Sequence, residues 1–585
     1  MTREVAAVFR DFGFQYEDQA RPAVQSINLE IYKGEVFLVV GSSGCGKSSL
    51  VLAMNGVIPH LLKGKMTGSV EVLGLDVTKT SASVLARRVG VVFQDPEIQL
   101  FATSVEDEVA MSLESMAVPR EEMRRRVDWA IAHVGLTGLE TRSPMQLSGG
   151  QKQWVAIASV LARDVDILIL DEPTGNLDPA GSRAVMETVR RICDEGGRTV
   201  VLVEKDLAPV VDLVDRVALL DEGRLRYLGS PRELFRRTEL LKECGVRIPE
   251  ATRLALALEE RGIVKYPKIP VRPEEVVEPL AGKVTVRQVS SPAAGPAGEE
   301  NGSASGNGAD EVPAVVFDRV THQFRNGWKG LDDLSCTIRN GEYAAILGQN
   351  GAGKSTLVQH IIGIYRPTSG SVRVLGREVS KLTVAELART VGFIFQNPNH
   401  QIFNNTVRQE ITFGPRNLGW EPDRIESALR EILSMCDLVG FEDRSPEDLS
   451  IGEKQRVAVA SILIMDPSIL ILDEPTTGQD ERSLRPVMEI VDNLHKSGKT
   501  IVMITHDMEL AARHAQRVLM LDRGRLVFDG PPDKAFTDFD LLRRMHLEAP
   551  EAVRVLAGLS PARPEFVTSY QGVMDRLEMV GGAGA

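Results

Sequence analysis

The sequence predicts an α/β protein built twice over, each half a mainly parallel sheet flanked by helices. Three observations point there. A glycine-rich octapeptide occurs at residues 41–48 and again at 348–355, with its lysines 307 residues apart. Each copy follows an apolar run of strand length, Val36–Val40 or Tyr343–Leu347, and precedes a helical pattern. ILILDEPTGNLD at residues 167–178 then returns as ILILDEPTTGQD at 469–480, 302 residues on. A period this long marks two copies of one domain rather than a solenoid.

Composition agrees with that class. The 585 residues are 43% hydrophobic and 25% charged, an ordinary globular balance that excludes collagen-like, mucin-like and wholly disordered chains. At about 100–200 residues per domain the length suggests at least three compact units. No apolar run approaches the roughly 18–20 residues that span a bilayer, and Arg3 and Glu4 precede no signal-like stretch. The net charge of −13 argues against a broad nucleic-acid footprint. Five cysteines (Cys45, Cys193, Cys244, Cys336, Cys436) form no CxxC pair, which suits a reducing cytoplasm.

Taken in order, residues 1–262 are expected to be the first domain with a short helical extension. Residues 263–312 read as a flexible linker, 313–545 as the second domain, and 546–585 as a second extension with a tail. The extensions are inferred because Pro249-Glu250 and Pro550-Glu551 each open an apolar helical pattern. The linker centres on residues 290–310, rich in Gly, Ala, Ser and Pro, a coil whose span with its flanks is roughly 35–40 Å. Residues 564–585 suggest no particular structure.

The octapeptides carry the chemistry. The first reads Gly41, Ser42, Ser43, Gly44, Cys45, Gly46, Lys47, Ser48, then Ser49; the second reads Gly348, Gln349, Asn350, Gly351, Ala352, Gly353, Lys354, Ser355, then Thr356. Both fit G-x-x-x-x-G-K-[ST], whose glycines let backbone N–H groups curl round phosphate oxygens at a helix N-terminus. Lys47 and Lys354 would reach the β- and γ-phosphates of a nucleotide, and Ser48 and Ser355 would ligate Mg²⁺. Asp171 and Asp473 end apolar runs, as Mg²⁺ carboxylates at strand ends should. Glu172 and Glu474 follow directly, placed to polarise an attacking water. Ser148-Gly149-Gly150-Gln151 and Ser450-Ile451-Gly452-Glu453 open amphipathic helices (152–162; 454–464), and each serine stands 23 residues before its aspartate. Those residues alone read as an anion site or, more simply, as an ordinary helix cap.

With Gln94, Gln396 and a following histidine, the ordered segments resemble the motif set of ATP-binding-cassette (ABC) ATPases. The resemblance covers nearly the whole chain outside the tether and tail. It implies two tandem P-loop cassettes, each a RecA-like core with an antiparallel β subdomain and a helical subdomain, that bind ATP with Mg²⁺ and hydrolyse it. It implies two ATP molecules sandwiched head to tail, each between one cassette's Walker A and the other's LSGGQ-like signature. Gln94 and Gln396 would then sense Mg²⁺ and the transport partner, and Asp178 and Asp480 would be D-loop residues. Tyr16 and Phe324 would stack on adenine, although a strand-face core position stays open for both.

The two copies are not equal. Where the second has Thr505-His506-Asp507 after its Walker B strand, the first has Glu204-Lys205-Asp206. The switch histidine His506 is thus matched by Lys205, a flexible point charge. Ile451 and Glu453 likewise stand where the family shows Gly and Gln. Under the head-to-tail pairing, Lys354, Glu474 and His506 with the Ser148 signature make a consensus site. Lys47, Glu172 and Lys205 with the Ser450 signature make a degenerate site, expected to bind ATP but turn it over slowly.

Residues 94–101 (QDPEIQLF) and 396–403 (QNPNHQIF) resemble the Q-x-P-x-x-Q-[LI]-F segment of energy-coupling-factor (ECF) and cobalt-type importer ATPases. That resemblance implies a peripheral ATPase at the cytoplasmic face of the membrane. Its partners would be a membrane-embedded coupling (T-type) subunit and a small substrate-binding membrane subunit, with a vitamin, vitamin precursor or transition-metal ion as cargo. A core-packing role for Leu100 and Phe101 remains open. Tandem sugar-importer ATPases and ribosome-associated ABC ATPases are the alternatives. The second fits poorly, since residues 290–310 are neither basic nor helical.

Overall fold

The computed structural model describes residues 3–19, 21–175, 179–287, 312–476, 479–561 and 565–579, so Asp178 and residues 290–310 lie outside the described residues. Two compact units divide the chain after Ile248.

In the first unit, Val5–Tyr16 pairs antiparallel with Val24–Tyr32 and with Gly64–Val72, to which Leu75–Asp76 adds a short edge. Val24–Tyr32 alternates buried and exposed side chains, the pattern of a sheet with one face on the core. A second sheet has six strands in the order Arg224–Gly229, Arg216–Asp221, Val36–Val40, Thr199–Glu204, Ile167–Asp171, Val89–Val92. All neighbours in it are parallel except the outermost Arg224–Gly229. VFLVV, ILILD and TVVLVE are buried at every residue, as central parallel strands covered on both faces must be.

Between the last two strands in chain order on that edge, Val89–Val92 and Ile167–Asp171, lie the helices Val105–Ser115, Arg120–His133 and Gly149–Leu161, which pack on one another. The first two form the helical insert expected between the glutamine loop and the signature, and the third is the helix that the signature opens.

The second unit repeats both sheets. Its antiparallel sheet runs Lys329–Ile338, Val315–Gln323, Ser369–Val374, Arg377–Glu378. Its six-stranded sheet has the order Val391–Ile394, Ile469–Asp473, Thr500–Ile504, Tyr343–Leu347, Arg517–Asp522, Arg525–Gly530. The insert and the signature helix recur as Val407–Asn417, Pro422–Met435 and Ile451–Leu463. Among the described residues no helix is long and apolar enough to cross a membrane.

The expected boundaries need correction at the extensions. Helix Glu250–Glu260 belongs to the second unit rather than the first. Residues 263–287, expected to be flexible linker, hold the helix Pro273–Leu280 and the strand Val284–Val286. Past helix Glu551–Leu559, the tail forms a helix at Tyr570–Met574 and a strand at Leu577–Met579 that pairs antiparallel with Val284–Val286. Two prolines and three glutamates in PEEVVEPL disguise an eight-residue helix, too short to stand without its tertiary contacts.

Candidate functional site

Each glycine-rich loop leaves the C-terminal end of a fully buried strand and enters a helix, Lys47–Met54 or Lys354–Ile361. Gly46 (φ 102°) and Gly353 (φ 105°) hold the left-handed turn before the lysine. A Cβ on Gly46 would meet the Ala23 carbonyl at 2.5 Å, and one on Gly353 the Gly330 carbonyl at 2.4 Å, so no other residue fits. Lys47 Nζ donates to the carbonyls of Gly41 (2.7 Å) and Ser42 (2.8 Å). Lys354 Nζ donates to those of Gly348 (2.7 Å) and Gln349 (3.1 Å). Both ammonium groups are buried and lie along the loop that would cradle phosphates.

The carboxylates meet the loops as the motif spacing implies. Ser48 Oγ donates to Asp171 Oδ2 at 3.3 Å. Burial, aided by the charge of Glu172, pushes Asp171 up to about 6; burial and Glu474 do the same to Asp473. A hydroxyl beside a buried carboxyl is a donor set suited to a hard divalent cation.

Glu172 and Glu474 both sit at φ 48°, the left-handed region, held by backbone N–H donation to Val203 (2.8 Å) and Ile504 (2.9 Å). The side chains differ in company. Glu172 Oε2 takes a hydrogen bond from Gln94 Nε2 (2.7 Å) and an ion pair from Lys205 Nζ (2.8 Å). Glu474 Oε2 lies 2.7 Å from His506 Nδ1 and accepts the His506 backbone N–H at 3.1 Å. Burial opposes the charged imidazole, but the hydrogen bond and charge of Glu474 outweigh it and raise the His506 pKa. Gln94 and Gln396 are both exposed, Gln94 with its side chain turned to Glu172.

One buried acid was missed. Glu204, preceding Lys205, is 5% exposed and accepts from the Thr174 hydroxyl at 2.8 Å; burial chiefly, then Thr174 and the nearby Glu172, leave it at about 8. Thr505 replaces it in the second unit and accepts the Asp507 backbone N–H at 2.9 Å. A glutamate ending an all-apolar strand, TVVLVE, was the available signal.

The signature serines are helix N-caps in capping boxes: Ser148 with Gln151, Ser450 with Glu453. Glu453 Oε2 accepts from the Ser450 backbone N–H and hydroxyl, both at 2.7 Å, so its carboxylate folds onto the cap. Gly149 has open space around its missing Cβ, and Ile451 is 38% exposed at the matching position, so the isoleucine is sterically tolerated. Gly452 is different: a Cβ there would meet Ser483 Oγ at 2.4 Å. In the first unit a cleft joins Gln94, Glu97, Gly149, Lys152, Gln153 and Glu172, bringing the glutamine loop, signature helix and Walker B acid to one place.

Tyr16 and Phe324 are half-buried, not core. The Tyr16 hydroxyl shares a 2.9 Å hydrogen bond with Ser49, and Phe324 stacks on Trp328 with ring centroids 5.2 Å apart. Asp480 caps the helix Glu481–Lys496 through the Ser483 N–H at 2.8 Å. Cys45, inside the first loop, is 3% exposed, and burial raises its thiol pKa.

Comparison with known proteins agrees with the geometry. The family model for ABC transporters matches residues 24–175 and 331–477. A protein of Methanosarcina acetivorans named as an ABC transporter ATP-binding protein is 39% identical over 94% of this chain and 89% of its own length. One of Caldanaerobacter subterraneus, named alike, is 38% identical over 93% of this chain and 95% of its own. Among solved structures, CbiO1 of Clostridium perfringens, described as part of the ABC transporter complex CbiONQ, is 32% identical. It covers 40% of this chain and 94% of its own, with a TM-score of 0.37. Matched over nearly its full length and twice over by the family model, the chain belongs to the ABC transporter family, as an ATPase carrying two ATP-binding cassettes.

Proposed function

We propose that this ATPase powers an ECF-type importer whose cargo is a vitamin, a vitamin precursor or a transition-metal ion. The observation that carries this reading is the surface built by the repeated Q-x-P-x-x-Q-[LI]-F segment. Gln99 Oε1 accepts the Phe93 N–H at 2.9 Å and its Nε2 donates to the Val91 carbonyl at 3.2 Å, stapling the loop to its strand. Buried Glu108 accepts the backbone N–H groups of Phe101 and Ala102, both at 2.7 Å; Glu410 does the same for Phe403 (3.1 Å) and Asn404 (2.9 Å). Leu100 is thereby core while Phe101 is 74% and Phe403 64% exposed. Two rings held outward at such cost in exposed apolar surface suit the cytoplasmic helices of a membrane partner.

In the reaction Glu474 would act as general base toward water, and His506 would contact the γ-phosphate while steadying Glu474. Ser48 with Asp171, and Ser355 with Asp473, fit Mg²⁺, which when bound supplies charge for the β- and γ-phosphates. Gln94, bonded to Glu172, and Gln396 would sense that ion. Lys47 and Lys354 would hold phosphate oxygens, and Tyr16 and Phe324 would face adenine. Glu172 would be the weaker base, because the oxygen that must take the proton is held by a fixed ammonium rather than by a titratable ring. We place fast turnover with the Lys354, Glu474 and His506 set and its Ser148 signature. The Lys47, Glu172 and Lys205 set would hold ATP for longer.

The test is affinity purification of the tagged chain from detergent-solubilised native membranes, with mass spectrometry of what accompanies it. One polytopic subunit plus one small membrane protein is the expected result. Ribosomal proteins, or no membrane partner, would overturn the reading.

A further inference from the structure

A seven-residue helix, Met508–His514, joins two histidines of the second unit. It begins directly after His506: Asp507 is its N-cap, accepting the Leu510 N–H at 3.0 Å while its own N–H goes to the Thr505 hydroxyl at 2.9 Å. No slack therefore separates the switch position from the helix. At the far end His514 Nδ1 donates to Asp492 Oδ1 at 2.8 Å. Asp492 belongs to helix Glu481–Lys496, the one that Asp480 opens.

The rest of the buried side of that short helix is apolar. Met508, Leu510, Ala511 and Ala512 are at most 8% exposed and join the core that also holds Val487 and Val491 of Glu481–Lys496. Apolar burial is non-directional and leaves two alanines free to settle at neighbouring positions, whereas a hydrogen bond fixes a place. The pair is largely out of water, with the His514 side chain 13% exposed. The same imidazole meets the ring of Tyr343, centroids 6.3 Å apart, and Tyr343 opens the strand that runs into the second glycine-rich loop. His514 thus touches the helix of Asp480 and the strand of the phosphate loop, and its own helix carries His506.

The first unit has neither half of the pair. His514 stands eight residues after His506, and eight residues after Lys205 comes Leu213. Asp492 stands nineteen residues after Asp473, and nineteen residues after Asp171 comes Arg190. In place of the helix the first unit has the three-residue 3-10 turn Ala208–Val210, with Pro209 inside it. The copy with the switch histidine has the bond, and the copy with the lysine lacks it.

We infer that His514 and Asp492 are positioning residues of the Lys354, Glu474 and His506 set, a strut that keeps His506 Nδ1 at its 2.7 Å from Glu474 Oε2. The inference rests on the placing of fast turnover at that set. Sliding of helix Met508–His514 along Glu481–Lys496 would draw Asp507, and His506 with it, away from Glu474. A misplacement of about 1 Å at a reacting group costs about 100-fold in rate. Without the strut the helix still stands, because its apolar side stays buried and Glu509 Oε1 accepts the Glu551 N–H at 2.6 Å. The strut therefore acts on rate rather than on folding.

The test is steady-state ATP hydrolysis by the full chain in a Glu172→Gln background, where turnover comes from the Glu474 set. His514→Leu should lower kcat about fivefold or more, with the KM for ATP within about twofold and the melting point in EDTA within about 2 °C of that parent. His514→Asn, whose amide nitrogen takes the place of Nδ1, should recover about half or more of the parent's kcat. Asp492→Leu should match His514→Leu, and the double variant should be no slower than either, because each removes the same bond. An unchanged kcat in His514→Leu, a fall that His514→Asn does not relieve, or one that follows a lowered melting point would overturn the strut alone. A Glu172→Gln parent without turnover would overturn the placing of the fast site, before any His514 variant is measured, and the strut with it.

Discussion

Replacing Asp171 by asparagine should stabilise the metal-free protein while depriving it of a proposed cation ligand. Asp171 is 9% exposed, and its carboxyl is pushed from an ordinary 3.8 to about 6 by burial and then by Glu172. A folded-state pKa above the unfolded one means the native state holds the proton longer. The stability this confers is complete below about pH 4 and is lost as pH rises through about 6. Two pKa units correspond to about 3 kcal/mol at pH 7.5, an upper limit because the site keeps some access to water. Asparagine retains an acceptor for the Ser48 hydroxyl and carries no charge to desolvate. For a unit of this size each kcal/mol moves the melting point by about 2–4 °C. In EDTA at pH 7.5 the Asp171→Asn protein should therefore melt about 5–10 °C above wild type, by calorimetry or far-ultraviolet circular dichroism. At pH 5 the gain should be roughly halved, since the wild-type carboxyl is then mostly protonated. Stabilisation of the first unit by Mg-ATP should shrink in the variant. A variant that melts with or below wild type in EDTA would refute the reasoning, because the carboxyl would then not be under strain.

Three other outcomes follow from the same geometry. Lys205→His should raise turnover at the first Walker set several-fold, measured in a Glu474→Gln background that silences the other, because a ring would replace the ammonium 2.8 Å from Glu172. Cys45 should resist maleimide at pH 7.5 with or without Mg-ATP and react fully only on unfolding, as its burial and raised pKa require. The double variant Phe101→Ser/Phe403→Ser should melt within a degree or two of wild type, since both rings are exposed and surface changes cost about 0.5 kcal/mol or less. Its recovery of membrane proteins in affinity purification should nonetheless fall at least tenfold.

The core of each cassette was plain in the sequence because its signals are local. VFLVV, YAAIL and the two ILILD runs are short enough to be strands only, and each ends against a motif that fixes its direction. The glycine-rich loops announced their turns through residues that nothing else could replace. What stayed hidden depends on contacts distant in sequence. Residues 273–280 look like linker until Glu551–Leu559 covers Val276 and Leu280, and the strand 577–579 has a partner almost 300 residues earlier. Glu453 stands where the family shows Gln. The capping box bonds its carboxylate to the Ser450 N–H and hydroxyl, the ordinary helix cap that the sequence also allowed. Asp178 lies outside the described residues, and Asp480 is seen as a helix cap.

The account turns on the different surroundings of two identical glutamates, and the most direct measurement compares steady-state ATP hydrolysis by Glu172→Gln and Glu474→Gln in the intact chain. A general base is worth about 10²–10⁴ in rate. With Glu474 beside His506 and Glu172 held by Lys205, Glu474→Gln should remove at least 99% of turnover, while Glu172→Gln should leave a substantial fraction. Equal losses from the two substitutions would contradict it.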